Sequence, residues 1–357
     1  MHPDDQMTPV ERARALAKGE RIDRYPINLF WGAPAHALLG WTRRQEQASG
    51  ANIAAVKRKV YETFGCDGVN ADYGLHGMAV AFNAKVTDPE HLPFSILEHP
   101  VKNIQDLSCL DLERLTVAKD PTASKCYEAC QILRQELGDE VSCSMGFPGP
   151  FTSASALAGT SQLLKSLITQ PEAVHRLLEF TTAGLLQLVR PFIAAGFPIS
   201  ISDPVASGTI LSKPRFRSFV LPYSQKLVAG CKAMGATGVG VHICGDTTNL
   251  LEDVVECGYT SFSIDNVVDL AVAKERIGAK IPLIGNVDPV NILYRGTSED
   301  VRQAVRACCR KAWDSPKGYI IATGCDTVYG TPLENAYAFM EEARKCAQFP
   351  YDPANFQ

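Results

Sequence analysis

One histidine and two cysteines stand where a metal ion could be held. His242 and Cys244 are two residues apart at the end of the apolar run VGVHI (239–243), and Cys325 follows the run GYIIAT (318–323). Side chains along a strand alternate between faces, so His242 and Cys244 point the same way. One imidazole and two thiolates suit zinc, and three protein ligands leave a fourth position for water or substrate. The pattern therefore predicts a catalytic rather than a structural metal site.

Each of these residues, taken singly, also has a simpler structural interpretation. A buried cysteine usually fills a core, and a lone histidine usually has a hydrogen-bond partner. The chain has 12 cysteines and no Cys-x-x-Cys pair, and a reducing cytosol would keep most of them as thiols. Three soft ligands at strand ends, taken together, favour a metal over core packing.

The order of elements predicts a (β/α)8 TIM barrel. Short apolar runs that favour strands alternate with helical segments, which implies parallel βαβ units. Eight such units close into a barrel whose active site lies at the carboxyl ends of the strands. An open doubly wound sheet is the alternative, but no G-x-G-x-x-G follows the first run. The eight runs are 25–30, 67–72, 141–147, 199–203, 239–243, 260–265, 281–286 and 318–323.

Helical spacing and capping residues predict the elements between the strands. Thr8 and Glu11 form a capping-box pattern at the start of the first helix. We expect residues 1–357 to form one barrel domain with an amino-terminal helical extension and an insertion around 73–123 over the barrel mouth. The predicted helices are 8–18, 51–64, 124–137, 156–195 with a break near Pro171, 213–234, 247–257, 268–277, 298–313 and 333–346.

Composition excludes several classes of partner. The 35 basic and 39 acidic residues give a net charge of −4, and without a long basic run we expect no nucleic-acid binding. The amino terminus is polar where a secretory signal would be apolar. The longest apolar runs, such as 185–197, fall short of the ~20 residues that span a bilayer. We therefore expect a soluble, cytoplasmic protein with no membrane partner.

Carboxylates also fall at the predicted strand ends. Asp72, Asp203 and Asp265 are candidate catalytic residues, and Asn286 and Asp288 occupy similar positions. An acid at a strand end is equally common as a cap for the helix that follows. Both interpretations stay open for Asp72 and Asp203.

The stretch from Pro150 to Cys346 resembles the uroporphyrinogen decarboxylase superfamily. The motifs that carry the resemblance are SFVLPY (218–223), GNVDP (285–289) and GCDTVYGTPLEN (324–335). The resemblance extends more thinly to the amino terminus. It implies a barrel fold.

Two features separate the chain from the decarboxylases of that superfamily. Their Arg-rich loop, Arg-Gln-Ala-Gly-Arg, grips substrate carboxylates, whereas the corresponding stretch WGAPAHALLG (31–40) has no arginine. Asp72 matches the Asp of the family's second strand, but Cys325 stands where the decarboxylases have a His. A tetra-acidic porphyrinogen would find no bidentate clamp of arginines here.

These departures point to the other branch, the zinc-dependent corrinoid methyltransferases, which includes methylcobalamin:coenzyme M methyltransferases. The branch pattern His-x-Cys…Cys is matched by His242, Cys244 and Cys325 in order. The resemblance implies a Zn²⁺ cofactor and a corrinoid (cobalamin) that carries the methyl group, either free methylcobalamin or a corrinoid protein. It also implies a small methyl acceptor, such as the thiol coenzyme M, and Asp265 as a displaceable fourth ligand.

Other functions remain open from the sequence. The same site could run from a methyl donor to a corrinoid protein, in the demethylating direction, and tetrahydrofolate is a further possible acceptor. A metal-free decarboxylase would use Asp72 to stabilise a pyrrole cation. A non-catalytic barrel that stores a corrinoid or tetrapyrrole would bind without turnover.

Overall fold

The computed structural model describes residues 2–357 and contains a ring of parallel strands. The strands are β1 (Val69–Asp72), β2 (Lys85–Val86), β3 (Ile96–Glu98), β4 (Cys143–Pro148), β5 (Ile199–Ser202), β6 (Val239–Ile243), β7 (Ser261–Ile264), β8 (Leu283–Val287) and β9 (Tyr319–Thr323). Seven of them form one sheet in the order β1-β4-β5-β6-β7-β8-β9, with every neighbouring pair parallel. Strands β2 and β3 form a separate antiparallel pair.

The first predicted strand, 25–30, closes the ring as an extended segment. Ile27 makes a parallel bridge to Ile321 of β9, and the amide of Asp67, just before β1, donates to the carbonyl of Ile27 at 3.1 Å. The segment therefore lies between β9 and β1. It has one bridge rather than a ladder because Pro26 lacks a backbone N–H. The predicted (β/α)8 barrel is confirmed, with seven regular strands and this eighth segment.

Helices separate the strands along the chain. They are α1 (Pro9–Lys18), α2 (Arg43–Glu46), α3 (Gly50–Phe64), α4 (Gly77–Ala81), α5 (Pro121–Leu137), α6 (Pro150–Ala158), α7 (Thr160–Thr169), α8 (Pro171–Ala194), α9 (Lys213–Phe219), α10 (Leu221–Ala233), α11 (Leu251–Glu256), α12 (Leu270–Ile277), α13 (Ser298–Ala312) and α14 (Leu333–Cys346). Short 3-10 turns lie at Ala35–Leu39, Leu112–Arg114, Pro204–Ala206, Thr248–Leu250 and Pro353–Phe356, and a π-turn at Pro289–Tyr294.

Two long predicted helices are interrupted in the structure. The segment 156–195 begins earlier, as α6, and breaks at Gly159 as well as before Pro171. The backbone of Gly159 has a positive φ of 85°, a conformation that glycine tolerates. The segment 213–234 divides at Val220, because Pro222 cannot donate into the preceding turn and restarts the helix as α10.

The two faces of the barrel sheet differ in burial. Ile199 and Ile201 of β5 point outward and are buried beneath helices, whereas Ser200 and Ser202 point inward and are partly exposed. The same alternation in β1 leaves Asn70 exposed inside the ring. Bulky branched side chains usually fill such an interior. Here small and polar residues take the inward positions of β1 and β5, and the branched side chains Ile284 and Ile320 take those of β8 and β9.

The amino-terminal helix is anchored at the opposite end of the barrel by buried ion pairs. The Arg12 guanidinium, fully buried, donates to Asp23 at 2.7 Å. Arg24 donates to Asp5 at 2.7 Å and also pairs with Asp67, which precedes β1. These charges lie where strands begin, so they join the amino-terminal segment to the base of the barrel.

The segment 73–123 reaches the loops at the barrel mouth. Between β2 and β3, His91 stacks on Tyr329 with ring centroids 5.0 Å apart. His91 also lies 3.3 Å from His36 through ring nitrogens. Tyr329 follows β9 by a few residues, so this segment contacts the loop that carries Cys325.

Among residues 2–357 one helix, Pro171–Ala194, has the length and apolar composition of a membrane span. In its most apolar stretch 56% of the residues are buried inside the protein. Such burial is typical of a helix that packs on a barrel.

Candidate active site

His242 lies near the end of β6 with its ring oriented by the next strand. Its Nδ1 is 3.2 Å from the carbonyl oxygen of Ser263 and 3.1 Å from the hydroxyl oxygen of the same residue. Its Nε2 is 3.2 Å from Sγ of Cys244. A proton on Nδ1 that is donated to Ser263 leaves Nε2 with a free lone pair toward the sulfur. This partner on the far side of the ring is typical of histidines that bind metal.

The two cysteines are 81 residues apart in the sequence but meet in the structure. Cys244 follows β6 and Cys325 follows β9, and their sulfurs lie 3.6 Å apart. Both thiols are free. The candidate ligand atoms of His242, Cys244 and Cys325 all lie within 4.8 Å of one another. The barrel therefore brings together the three residues that the sequence singled out.

The distances fit a zinc ion. Around a tetrahedral zinc with bonds of ~2.0–2.3 Å, two sulfurs lie about 3.8 Å apart and a nitrogen and a sulfur about 3.6 Å apart. The observed distances are 3.6 Å between the sulfurs and 3.2 Å between Nε2 of His242 and Sγ of Cys244. A disulfide would need about 2.0 Å between the sulfurs. The spacing is therefore compatible with two ligands around one ion and excludes a disulfide.

The three groups also shift one another's pKa values. The hydrogen bond from Cys244 lowers the pKa of Cys325 to about 4, with further lowering by His242. The same hydrogen bond and burial raise the pKa of Cys244 far above its ordinary value. Burial lowers the pKa of His242, but the hydrogen bond to Cys325 and its charge outweigh burial, so the net shift is upward. The contacts of the three groups thus favour the thiolate form of Cys325.

Asp265, predicted as a catalytic residue and possible fourth ligand, holds the loop of Cys244. Its Oδ2 accepts from the amide of Gly245 at 2.7 Å, and its Oδ1 accepts from the amide of Val267 at 3.0 Å. Within residues 2–357 the set of candidate ligand atoms that converge does not include Asp265. Both of its oxygens are committed to backbone amides.

Asp203 lies at the end of β5 and caps the helix that follows β4. Its Oδ1 accepts from the amide and the hydroxyl of Thr152, at 2.8 and 2.6 Å. Burial raises the pKa of its carboxyl to about 6. The other oxygen, Oδ2, is buried without a hydrogen-bond partner. The structure thus gives Asp203 a capping contact, and a catalytic role stays a prediction.

Asp72 ends β1 with its side chain inside the barrel. One oxygen accepts from the amide of Gly74. A Cβ on Gly146 of the neighbouring strand would lie 2.5 Å from the other oxygen, so the carboxylate lies directly over that glycine. The residue is exposed, although it lies within the ring. Asp72 therefore presents a charge to the lumen.

Asp326 is a site residue that the sequence did not single out. Its carboxylate accepts from the amides of Gly32 and Ala33 at 2.7 and 2.9 Å. Asp326 therefore ties the loop of Cys325 to the loop after the first barrel segment. Its position beside a predicted ligand was the available signal, but the partner lies almost 300 residues away.

The family model for uroporphyrinogen decarboxylase (URO-D) matches residues 8–346. The chain belongs to this family. The resemblance based on three motifs is therefore confirmed, and it covers nearly the whole sequence.

Relatives from two branches of the family are similar to the chain over different lengths. Methylcobamide:CoM methyltransferase MtbA of Methanosarcina acetivorans is 29% identical over 352 residues, covering 95% of this chain and 98% of the relative. The uroporphyrinogen decarboxylase of Crocosphaera subtropica is 32% identical over 227 residues, covering 61% of this chain and 62% of that protein.

A solved methyltransferase structure is also similar to the chain over nearly its whole length. A methyltransferase from Methanosarcina mazei superposes with a TM-score of 0.80 at 25% sequence identity, covering 95% of this chain and 98% of that one. The relatives that match over full length are named methyltransferases. The prediction of a methyltransferase is confirmed at this level.

Proposed function

We propose that this protein transfers a methyl group between a corrinoid and a small thiol, with a zinc ion held by His242, Cys244 and Cys325. The convergence of these three ligand atoms within 4.8 Å carries the proposal. An imidazole and two thiolates form a borderline-soft set that suits zinc and leaves an open coordination position. Full-length similarity to methylcobamide:CoM methyltransferases supports the corrinoid as methyl carrier.

The residues around the triad would hold it ready to bind. The contacts with Ser263 would favour the tautomer of His242 with its proton on Nδ1, and Asp265 and Asp326 hold the loops that carry the two cysteines. The lowered pKa of Cys325 would ease loss of its thiol proton when the ion binds. When bound, the zinc would supply a Lewis acid that lowers the pKa of an incoming thiol.

The transfer itself needs no redox partner. The substrate thiolate would take the methyl group from methylcobalamin or a corrinoid protein, as a C–S bond forms and the Co–C bond breaks. The bonding electron pair stays on cobalt, and the thiol proton leaves to solvent. The lumen would admit the small thiol, and the larger corrinoid would approach at the mouth. We further propose that residues 1–357 act as one cytoplasmic barrel domain.

The experiment combines metal analysis with an assay. Purified protein should contain about one zinc per chain and should demethylate methylcobalamin when a thiol is supplied. Cys325→Ala should lose the zinc and at least a hundredfold in rate. Cys109→Ala, at an exposed cysteine whose thiol contacts a loop carbonyl, is the matched control.

The alternatives give different results in the same experiment. Zinc bound without demethylation by any thiol, but with methylation of Co(I) by a methylated donor, would establish the reverse direction. A metal-free protein with unaltered properties after Cys325→Ala would eliminate the proposal. Decarboxylation of a porphyrinogen would then be the function to examine, although 31–40 offers no arginine.

A further inference from the structure

Small and polar side chains occupy the inward face of β1, β4, β5, β6 and β7 as far as His242, whereas Ile284 and Ile320 occupy the inward positions of β8 and β9. The strand register places Asp72 of β1 opposite Gly146 of β4. Two residues further along β4, Pro148 lies opposite Ser202 of β5. Ser202 in turn lies opposite His242 of β6. Residues of one parity in paired strands share a face. Asp72 and His242 therefore point into the same lumen. The hydroxyl and amide side chains on this face are Asn28, Asn70, Ser144, Ser200, Ser202, Ser261 and Ser263.

The charges that face this space are negative. Asp72 is the carboxylate on the inner face, and further carboxylates occur within three residues of strand ends: Asp203, Asp246, Asp265, Asp288 and Asp326. Within residues 2–357, no Lys or Arg occupies an inward-facing position of the ring or any of the first three positions after a barrel strand. Among the described residues, the inward-facing side chains of the ring therefore contribute the negative charge of Asp72 and no Lys or Arg charge.

Two cations near this end of the barrel share one buried carboxylate. The ammonium nitrogen of Lys57 lies 3.8 Å from one oxygen of Glu46, and the guanidinium of Arg43 lies 3.8 Å from the other oxygen. Both cations are thus already paired with Glu46, which makes them poor anchors for a further anion.

We propose that the thiol taken by this site carries an uncharged or cationic group beside its sulfur, rather than a sulfonate or carboxylate. This inference rests on the proposed function. The relatives that support that function are named for coenzyme M, which is an anionic thiol. At an effective dielectric of about 20, a unit charge about 10 Å from the thiol's substituent would change affinity by about tenfold once solvent screening of the exposed Asp72 is included. The carboxylate of Asp72, for which no salt bridge is found within residues 2–357, would therefore favour a cation over a neutral group and disfavour an anion.

A matched series of thiols tests the proposal. Cysteamine, 2-mercaptoethanol and coenzyme M share the skeleton HS–CH2–CH2–X and differ in the charge of X. Calorimetric dissociation constants with the zinc-loaded full-length protein, without methylcobalamin, should rank cysteamine tightest. Coenzyme M should bind at least about tenfold more weakly than 2-mercaptoethanol. Rates with methylcobalamin should follow the same order.

Substitution of Asp72 tests whether its carboxylate causes the ranking of the three thiols by affinity. In Asp72→Asn the affinity for cysteamine, relative to that for 2-mercaptoethanol, should fall by about tenfold. The affinity for coenzyme M, relative to that for 2-mercaptoethanol, should rise. Asp314→Asn is the matched control, because Asp314 precedes β9 at the other end of the barrel and pairs with Lys274. There the ratios should equal those of the wild type.

The outcomes separate the two proposals. Tightest binding of coenzyme M, lost in Lys57→Met, would overturn the charge inference and leave the methyl transfer intact. Equal ratios in Asp72→Asn and wild type would also overturn it. Binding in the expected order without methyl transfer to any thiol would refute the proposed function while the charge inference stands.

Discussion

Replacement of Gly32 by alanine should disturb the metal site from a distance. A Cβ on Gly32 would lie 2.7 Å from both carboxylate oxygens of Asp326. Carbon and oxygen do not approach so closely, so the carboxylate must move away from the amides of Gly32 and Ala33. The loop that carries Cys325 would then lose its anchor.

The size of the effect follows from the two hydrogen bonds. A hydrogen bond to a charged group contributes about 1.5–3 kcal/mol, and partial exposure of Asp326 places this pair at the low end, about 2–4 kcal/mol together. A shift of about 2 °C per kcal/mol gives a melting temperature lowered by roughly 4–8 °C in the metal-free protein. Loss of a contact that orients a ligand should weaken zinc binding about tenfold to a hundredfold.

Two measurements on two variants test this reasoning. Thermal unfolding of the metal-free protein reports the stability term, and competition with a chromophoric chelator reports zinc affinity. Gly68→Ala is the control, because a Cβ there meets nothing within 4 Å and should leave both quantities unchanged. A Gly32→Ala protein that melts and binds zinc like the wild type would refute the link between the two loops.

Two further predictions concern carboxylates near the strand ends. Asp265→Asn should weaken zinc binding about tenfold to a hundredfold in the chelator competition. The reason is that the asparagine side chain has one oxygen and cannot accept from the backbone amides of both Gly245 and Val267 as the two carboxylate oxygens do. An unchanged zinc affinity would refute this prediction. The pKa of Asp203 is raised by burial from 3.8 to about 6. The folded protein therefore keeps a proton that the unfolded chain releases, and stability falls as the pH rises from about 4 to 6, then stays level. Asp203→Asn should remove this pH dependence. At pH 7 it should also raise the free energy of unfolding, measured by urea titration, by on the order of 2 kcal/mol. A pH dependence that persists in the variant would contradict the assignment to Asp203.

The sequence alone determined most of the local elements and half of the site. Strand β6 and helix α14 have the bounds that their patterns predict, and Thr8 with Glu11 forms the expected capping box. Such features depend on residues within one turn or one strand. The shared direction of His242 and Cys244 follows in the same way, from alternation along a single strand.

Only the tertiary structure decided what distant segments do to one another. Closure of the ring brings Cys325 within 3.6 Å of Cys244 and gives Asp326 its partner amides at Gly32 and Ala33. Asp203, which by sequence could be a catalytic acid or a local cap, caps a helix that begins some 50 residues earlier. No local pattern encodes such pairings, because they depend on which strand ends become neighbours when the barrel closes.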